Sequence, residues 1–358
     1  MLRRFDTYPG VNAYAYVLPV VGGVFALNVA VTAALRFPYS NVLLGGGFVG
    51  ALVALLIVAS LRSRWRRYSY ALVPGGRVGQ LLTLPDLPCA LLQTADLPPE
   101  GDLVIVADLH HDHLDEWERF LADAAIGGFP VFHYKQVWEA TTGKVQIEHL
   151  SENSFGSLMP GHAYGKIKRL GDLVLALAVL PMALPLMGAI ALAIRWDSPG
   201  PALIRQVRMG YRAQPFKMLK FRTMNGTPVA PDRDALMTRP SDDRITRLGK
   251  VLRRTRLDEL PQIVNIMRGE MSWIGPRPEA LALSAWYEQE IPFYRYRHIV
   301  RPGLSGWAQV NQGHVTSIGD VDTKLQLDFY YIKNFSYWID ILITLRTVRV
   351  MLTGFGAR

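Results

Sequence analysis

The sequence predicts an α+β membrane protein: an N-terminal transmembrane helical hairpin, a small α/β domain, and a larger third domain built on a re-entrant membrane helix. Three observations carry this. Residues 14–35 and 37–61 are runs of 22 and 25 residues without a charge, separated only by Arg36, and each is long enough to cross about 30 Å of hydrocarbon. Residues 71–150 turn polar and acidic, with short strand-like runs around one helical stretch. A third apolar run, 170–194, has basic residues on both flanks and two prolines near its middle.

The first two runs form a tight hairpin, because one residue is too little for anything else between them. Arg3 and Arg4 precede it and Arg62, Arg64, Arg66 and Arg67 follow, so the positive-inside rule places both ends in the cytoplasm. No small-residue cleavage pattern stands between the runs, which argues against a removed signal peptide. This hairpin takes up residues 1–70.

In residues 71–150, Cys89-Ala-Leu-Leu-Gln93 and Leu103-Val-Ile-Val-Ala107 read as short buried strands, and Pro130-Val-Phe-His-Tyr134 as another. Residues 113–126 have helical spacing, with Trp117, Phe120 and Leu121 on the apolar face. Gly75-Gly-Arg-Val-Gly79 lacks the full dinucleotide fingerprint. His110-His-Asp-His113 reads as a solvated loop at a strand end rather than a metal site, since no other ligand cluster stands nearby in sequence.

Charge is divided unevenly. Residues 71–150 hold 4 Lys/Arg against 12 Asp/Glu, net −8, whereas 151–358 hold 28 against 17, net +11. The basic half points to anionic partners such as phosphates or lipid head groups. Nucleic acid is not among them, because zinc-finger spacing and aromatic RNA motifs are missing from the sequence. A single cysteine, Cys89, excludes an internal disulfide framework and a multi-cysteine metal site. Transport needs polar residues within spans, and residues 14–61 offer only Arg36 at the loop.

The third apolar run decides topology. Lys166, Lys168 and Arg169 precede it, and Arg195, Arg205, Arg208 and Arg212 follow. A true span would carry the basic C-terminal half outside, against the charge bias. Pro181 and Pro185 each remove a helix hydrogen bond and favour a bend. A helix over 166–195 that enters and leaves on one face satisfies both observations. Further on, 205–224 alternates like strands, 228–243 is a polar loop rich in Pro and Asp, and 281–296 is aromatic-heavy, suiting a membrane interface or an ordinary core. The tail 337–352 suits a helix lying on the bilayer.

The chemistry centres on Arg253-Arg-Thr-Arg-Leu-Asp258-Glu259-Leu-Pro261. Pro261 fits the first turn of a helix, 262–268 reads as its body, and Gly269 as its stop. Asp258 and Glu259 then stand at a helix N-terminus. Helix neighbours point about 100° apart, so two separate roles suit them better than one shared proton. The plain structural alternative is an N-cap and a first-turn charge.

Together, Lys220-Phe-Arg-Thr-Met224, Leu257-Asp-Glu-Leu-Pro261, Gly275-Pro-Arg-Pro278 and Arg301-Pro-Gly-Leu-Ser-Gly-Trp-Ala-Gln-Val-Asn311 carry a resemblance. From about Lys166 onward the chain resembles the bacterial monotopic phosphoglycosyl transferases, the polyprenyl-phosphate sugar-1-phosphate transferases. Residues 1–150 resemble a shortened form of the extension on the family's long members. The resemblance implies a mostly helical monotopic catalytic domain over 151–358, on the cytoplasmic face of the bacterial inner membrane. It also implies transfer of a sugar 1-phosphate from a UDP-sugar to undecaprenyl phosphate with release of UMP, a first membrane step of exopolysaccharide or other surface glycan synthesis. Mg²⁺ is implied as cofactor. Asp258 matches the family's nucleophile and Glu259 its Mg²⁺ ligand or positioner. Arg253 and Arg277 match phosphate-contacting arginines; Lys220, Arg222, Arg254 and Arg301 are further candidates. Leu184-Pro185 stands where the family often has Ser-Pro, so a serine contribution at the bend is absent. Gly303 and Gly306 read as turn residues. The competing class is a membrane-anchored regulatory protein on an inactive transferase domain. The identity of the UDP-sugar and a homo-oligomeric state are left open.

Overall fold

The structure is a computed structural model that describes residues 14–38, 40–65, 69–85, 87–96, 103–145, 161–225, 244–312 and 318–353. Arg3, Arg4, Arg66, Arg67 and the loop 228–243 lie outside the described residues. The chain forms two compact units, Met1–Gly143 and Lys144–Arg358.

The first unit begins with α1 (Tyr14–Ala34) and α2 (Asn41–Trp65). Arg36 turns between them with φ 55°, a left-handed conformation uncommon outside glycine. Val21 packs against Phe25, Phe48, Ala51, Leu52 and Leu55. Among the described side chains of the hairpin, most of the other apolar ones are exposed, including Val42 and Leu43. The stretch Asn41–Val58 of α2 is long and apolar enough to cross a membrane; the described apolar stretch of α1 is Val21–Ala33.

The rest of this unit is a four-stranded parallel sheet in the order β2-β1-β3-β4, from β1 (Ser69–Leu72), β2 (Cys89–Leu91), β3 (Leu103–Ala107) and β4 (Val131–His133). The sequence missed β1, a four-residue strand directly after the basic run. It also placed β2 in the core, yet Leu91 is exposed because β2 is an edge strand. On α3 (Asp115–Ile126), Trp117, Phe120 and Ala124 are buried against Ile105 and Val73, as the 3.6-residue spacing predicts. Tyr134, expected in a strand, instead starts α4 (Tyr134–Thr142), where it and Val137 bury together one turn apart. After β1, Gly75 and Gly76 adopt positive φ and lead into a 3-10 turn, Val78–Thr83.

The second unit is organised on α5 (His162–Asp197), a 36-residue helix containing both Pro181 and Pro185. Its start is tied to α11 (Tyr337–Thr353), where Asp340 accepts hydrogen bonds from Tyr164 at 2.5 Å and Lys168 at 2.6 Å. Farther along, Ala176 and Ala183 pack on Phe216, Met218, Ile263 and Met271, and near its end Ile190 and Ile194 pack on Phe221 and Leu252. Leu170, Val174, Leu177, Leu184 and Trp196 on the other side stay exposed. Asp172, the one charge in the apolar run, is buried and accepts the Trp273 N–H at 3.3 Å.

The antiparallel pair β5 (Leu203–Met209) and β6 (Pro215–Phe221) follows, matching the alternation of 205–224. Then come α6 (Arg247–Arg254), α7 (Gln262–Arg268), β7 (Ser272–Ile274), α8 (Leu281–Glu290), β8 (Gly303–Ser305), α9 (Trp307–Asn311) and α10 (Ile318–Lys333). Of the aromatics in 281–296, Tyr287 and Tyr294 are core residues. In α11, Ile339, Leu342 and Ile343 are buried, and the Arg346 guanidinium lies 4.6 Å from the Trp307 ring centroid.

Candidate active site

The acidic pair is presented by a short break between two helices. Thr246 caps α6, its hydroxyl accepting the Gly249 N–H at 2.9 Å. The helix ends at Thr255, and Arg256 reverses the chain with φ 60°, a conformation that costs a non-glycine residue on the order of 1–2 kcal/mol. Leu257–Glu259 form one 3-10 turn, Pro261 keeps a helical φ of −61°, and α7 ends at Gly269 with φ 83°. The helix body and its stop fall where the sequence put them. Neither Asp258 nor Glu259 caps α7, however; both are buried in the turn before it.

Three cations converge on one oxygen of Glu259. Its Oε1 lies 3.0 Å from Arg277 Nη2, 3.3 Å from Lys220 Nζ and 3.8 Å from Arg256 Nη1. Burial alone would raise this carboxyl's pKa, but Arg277, Lys220 and Arg256 outweigh it and bring it down to about 2. Asp258 is shifted the other way, raised first by burial and then by the Glu259 charge beside it, against the pull of Lys220, Arg253 and Arg256. Among the described residues, none donates a hydrogen bond to the Asp258 carboxylate. The two neighbours thus differ sharply: Glu259 is a fixed anion that gathers cations, and Asp258 is buried, more basic and uncommitted. Lys220 has its pKa lowered, first by burial and then by Arg277, despite both carboxylates.

Arg277 is aimed by the backbone behind it. The Gly275-Pro-Arg-Pro278 segment leaves β7, which pairs in parallel with β8 so that Ser272 faces Gly303 and Ile274 faces Ser305. A Cβ on Gly303 would stand 2.1 Å from the Gly275 nitrogen, and one on Gly306 2.3 Å from the Gly275 oxygen. These glycines are therefore close-approach residues, and turn-making alone does not account for them. Two of the four sequence motifs are thus in direct backbone contact. The Arg277 carbonyl in turn accepts a hydrogen bond from Arg297 at 3.0 Å.

Arg297 heads a buried network that the sequence reading missed. It donates to Asp328 at 2.8 Å and to the Tyr294 hydroxyl at 2.7 Å, and lies 4.0 Å from Glu279, which also pairs with Lys324. Glu279 is held down to about 2, the cations Lys324, Arg297 and Arg208 outweighing its burial. Arg208, on β5, feels the charges of Glu279, Arg277 and Glu259. Arg256 and Arg208 join the cation set around the acidic pair without having been singled out. Arg256 stood three residues before Glu259, a spacing that brings side chains together on a helical turn and was legible in principle.

The remaining expected residues divide. Arg253 donates from Nε to the Thr223 hydroxyl at 2.9 Å, leaving its terminal nitrogens without an assigned role. Arg222 donates to the Ser198 and Pro199 carbonyls, both at 2.6 Å, which fastens the end of α5 to β6. Arg301 donates to the Gly269 carbonyl at 3.0 Å and lies over the Tyr211 ring, at the far end of α7 from the acidic pair. Arg254 is exposed on α6.

Comparison with known proteins bears on what this geometry does. The sequence profile of the family described as bacterial sugar transferase matches residues 163–354. The chain is 44% identical over 359 aligned positions to the UDP-N-acetylgalactosamine-undecaprenyl-phosphate N-acetylgalactosaminephosphotransferase of Aeromonas hydrophila, covering all of this chain and 84% of that one. It is 42% identical over 200 residues, 55% of this chain and 74% of the relative, to the UDP-glucose:undecaprenyl-phosphate glucose-1-phosphate transferase of Caulobacter vibrioides. The exopolysaccharide production protein PSS of Rhizobium leguminosarum is 38% identical over 192 residues, 52% of this chain and 96% of its own length.

Proposed function

The chain belongs to the bacterial sugar transferase family, and from that premise we propose that it transfers a sugar 1-phosphate from a UDP-sugar to undecaprenyl phosphate, releasing UMP at the start of a surface-polysaccharide pathway. One observation supports this above the others: Lys220, Arg256 and Arg277 gather on Glu259 while the adjacent Asp258 stays buried and uncommitted. Fixed cations of this kind stabilise the charge that builds on a transferring phosphoryl group.

In the proposed reaction a carboxylate oxygen of Asp258 attacks the phosphorus that bears the sugar. The bond from that phosphorus to the bridging oxygen breaks, and UMP leaves with the electron pair. The acyl-phosphate is then attacked at the same phosphorus by an oxygen of undecaprenyl phosphate, which returns the carboxylate to Asp258. Burial and Glu259 raise the basicity of Asp258, which strengthens it as a nucleophile once ionised. Glu259 remains charged throughout and keeps Lys220 and Arg277 in place.

Mg²⁺ fits this donor set. It prefers hard oxygen ligands and is commonly held by one or two carboxylates together with substrate phosphates; Glu259 would hold it here. When bound, it supplies charge neutralisation at the phosphates. Three cations already face Glu259 Oε1, so Glu259 would hold the ion jointly with the phosphates of the anionic substrate.

The topology we favour is a transmembrane hairpin from α1 and α2, with α5 entering the cytoplasmic leaflet and returning to the same side. The support is that α5 packs on its own unit near both ends and in the middle while its outer side is apolar. A helix crossing the bilayer could not keep both ends on one water-facing body. Cysteines placed at Lys166 and Arg205 in a Cys89→Ser background should both label from the cytoplasm. Labelling of the second from outside would overturn the re-entrant reading.

The reaction itself is tested by giving purified protein a panel of UDP-sugars with Mg²⁺ and measuring UMP. Without acceptor, up to one UMP per chain should appear and intact mass should gain one phosphosugar. Asp258→Asn should abolish both while leaving the thermal melt in place. If UMP forms only after undecaprenyl phosphate is added and no adduct is found, Asp258 is not the nucleophile, although the overall transfer stands.

A further inference from the structure

The histidine-rich loop of the first unit gains a partner that its sequence neighbourhood does not contain. Parallel pairing of β3 with β4 sets Ala107 opposite His133, so Asp108 and His110, on the chain leaving β3, meet a histidine more than twenty positions later. His110 Nδ1 and His133 Nε2 are 3.0 Å apart, and His133 Nε2 is 3.9 Å from Asp108 Oδ1. One donor atom from each of Asp108, His110 and His133 falls within 4.8 Å of the others. We propose that these three side chains bind one divalent transition-metal ion of the zinc class.

Several features support a built site. In a tetrahedral site with bonds of about 2.0–2.2 Å, ligand atoms stand roughly 3.3–3.5 Å apart, and the 3.0 and 3.9 Å separations bracket that value. Two imidazoles and a carboxylate are a donor set suited to zinc and its neighbours. Asp108 is oriented from behind: its Oδ2 accepts the Arg77 N–H at 3.0 Å, and its carbonyl oxygen contacts His113 Nε2 at 3.0 Å. Partners of that kind fix the orientation of metal ligands. A Cβ on Gly76, where φ is 57°, would stand 2.3 Å from Asp108 Oδ2, so the glycine turn after β1 is what lets the chain close over the carboxylate. The cluster lies at the carboxyl ends of β3 and β4, the edge where open parallel sheets bind ligands. Asp108 is buried and His110 exposed, which leaves a fourth position open to water or a further ligand.

The test uses the full chain in detergent, stripped with EDTA, reloaded with Zn²⁺ and desalted. Metal analysis should find about one zinc per chain. Co²⁺ added instead should give the visible absorption of a low-coordinate site. His110→Ala removes an exposed side chain and leaves the sheet intact; it and His133→Ala, each removing a ligand, should weaken zinc binding by at least the roughly 10–100-fold that loss of a ligand's supporting partner costs. His111→Ala and Glu259→Gln should keep the zinc. These readouts are independent of turnover, so they stand or fall apart from the transferase reading. Less than about 0.2 zinc per wild-type chain, unchanged zinc in His110→Ala and His133→Ala, or zinc lost only with Glu259→Gln would each overturn the proposal.

Discussion

Replacing Glu259 by Gln removes one charge from the centre of the cation cluster while keeping nearly the same shape. In the folded protein this carboxyl sits at about 2 against an ordinary 4.5, and at about 1.4 kcal/mol per pKa unit its ionised form is favoured by roughly 3 kcal/mol. An independent route gives a similar figure, since removing one partner of a buried ion pair costs about 3–5 kcal/mol. For a unit the size of Lys144–Arg358, 3 kcal/mol corresponds to a fall of roughly 6–12 °C in melting temperature. The pH dependence has a definite sign. A folded pKa below the unfolded one stabilises fully above 4.5 and progressively less as pH falls toward about 2. The difference between wild type and Glu259→Gln should therefore be largest near neutrality and shrink in acid, as read by scanning fluorimetry across that range. Residual activity carries a second signature. Without the Glu259 charge, one cause of the raised Asp258 pKa is gone, and the acid limb of kcat/KM should move to lower pH. A variant that melts within about 1 °C of wild type at neutral pH, or a gap that does not narrow in acid, would refute the cluster argument.

In the wild type, kcat/KM for the UDP-sugar should fall on the acid side at a pH above the usual aspartate range, because the nucleophile must be ionised and its pKa is raised. It should fall on the basic side below the usual lysine range, because Lys220 has its pKa lowered; a pH–rate profile of Lys220→Arg, whose guanidinium does not titrate there, should lose that basic limb. Gly303→Ala puts a Cβ 2.1 Å from backbone nitrogen and should cost about 1–3 kcal/mol along with much of the activity, whereas Gly79→Ala, with nothing within 4 Å, should melt and turn over like wild type. EDTA should stop UMP release. Calorimetry should find Mg²⁺ binding weakly to the protein alone and more tightly with the UDP-sugar present, and equally tight binding in both cases would contradict the cation-crowded picture of Glu259.

The amino-acid sequence by itself determined the features that depend on local pattern. Charge-free runs of 22 and 25 residues can do little except form long apolar helices, and α1 and α2 follow them closely. Pro261 and Gly269 bracket α7 because one presets φ and the other tolerates a positive φ. Trp117 and Phe120 fall on the buried face of α3 through helical periodicity alone. The acidic pair, Arg277 and Lys220 were visible as chemistry-bearing residues, but their sequence separations carried no information on distance.

Tertiary structure decided what those residues do to one another. Lys220 on β6 and Arg277 after β7 meet at Glu259, beside α7, which packs on α5 and β6, so the opposite pKa shifts of Asp258 and Glu259 arise from contacts across the fold. Arg222 and Arg301 share the charge and motif context of the site residues, yet their hydrogen bonds go to the carbonyls of Ser198 and Gly269. The Arg297–Asp328 pair joins segments 31 positions apart, and strand register brings His133 to Asp108. Local propensity governs φ, ψ and periodicity over a few residues, whereas electrostatics and ligand geometry act through space and vary with distances that only the packed chain sets.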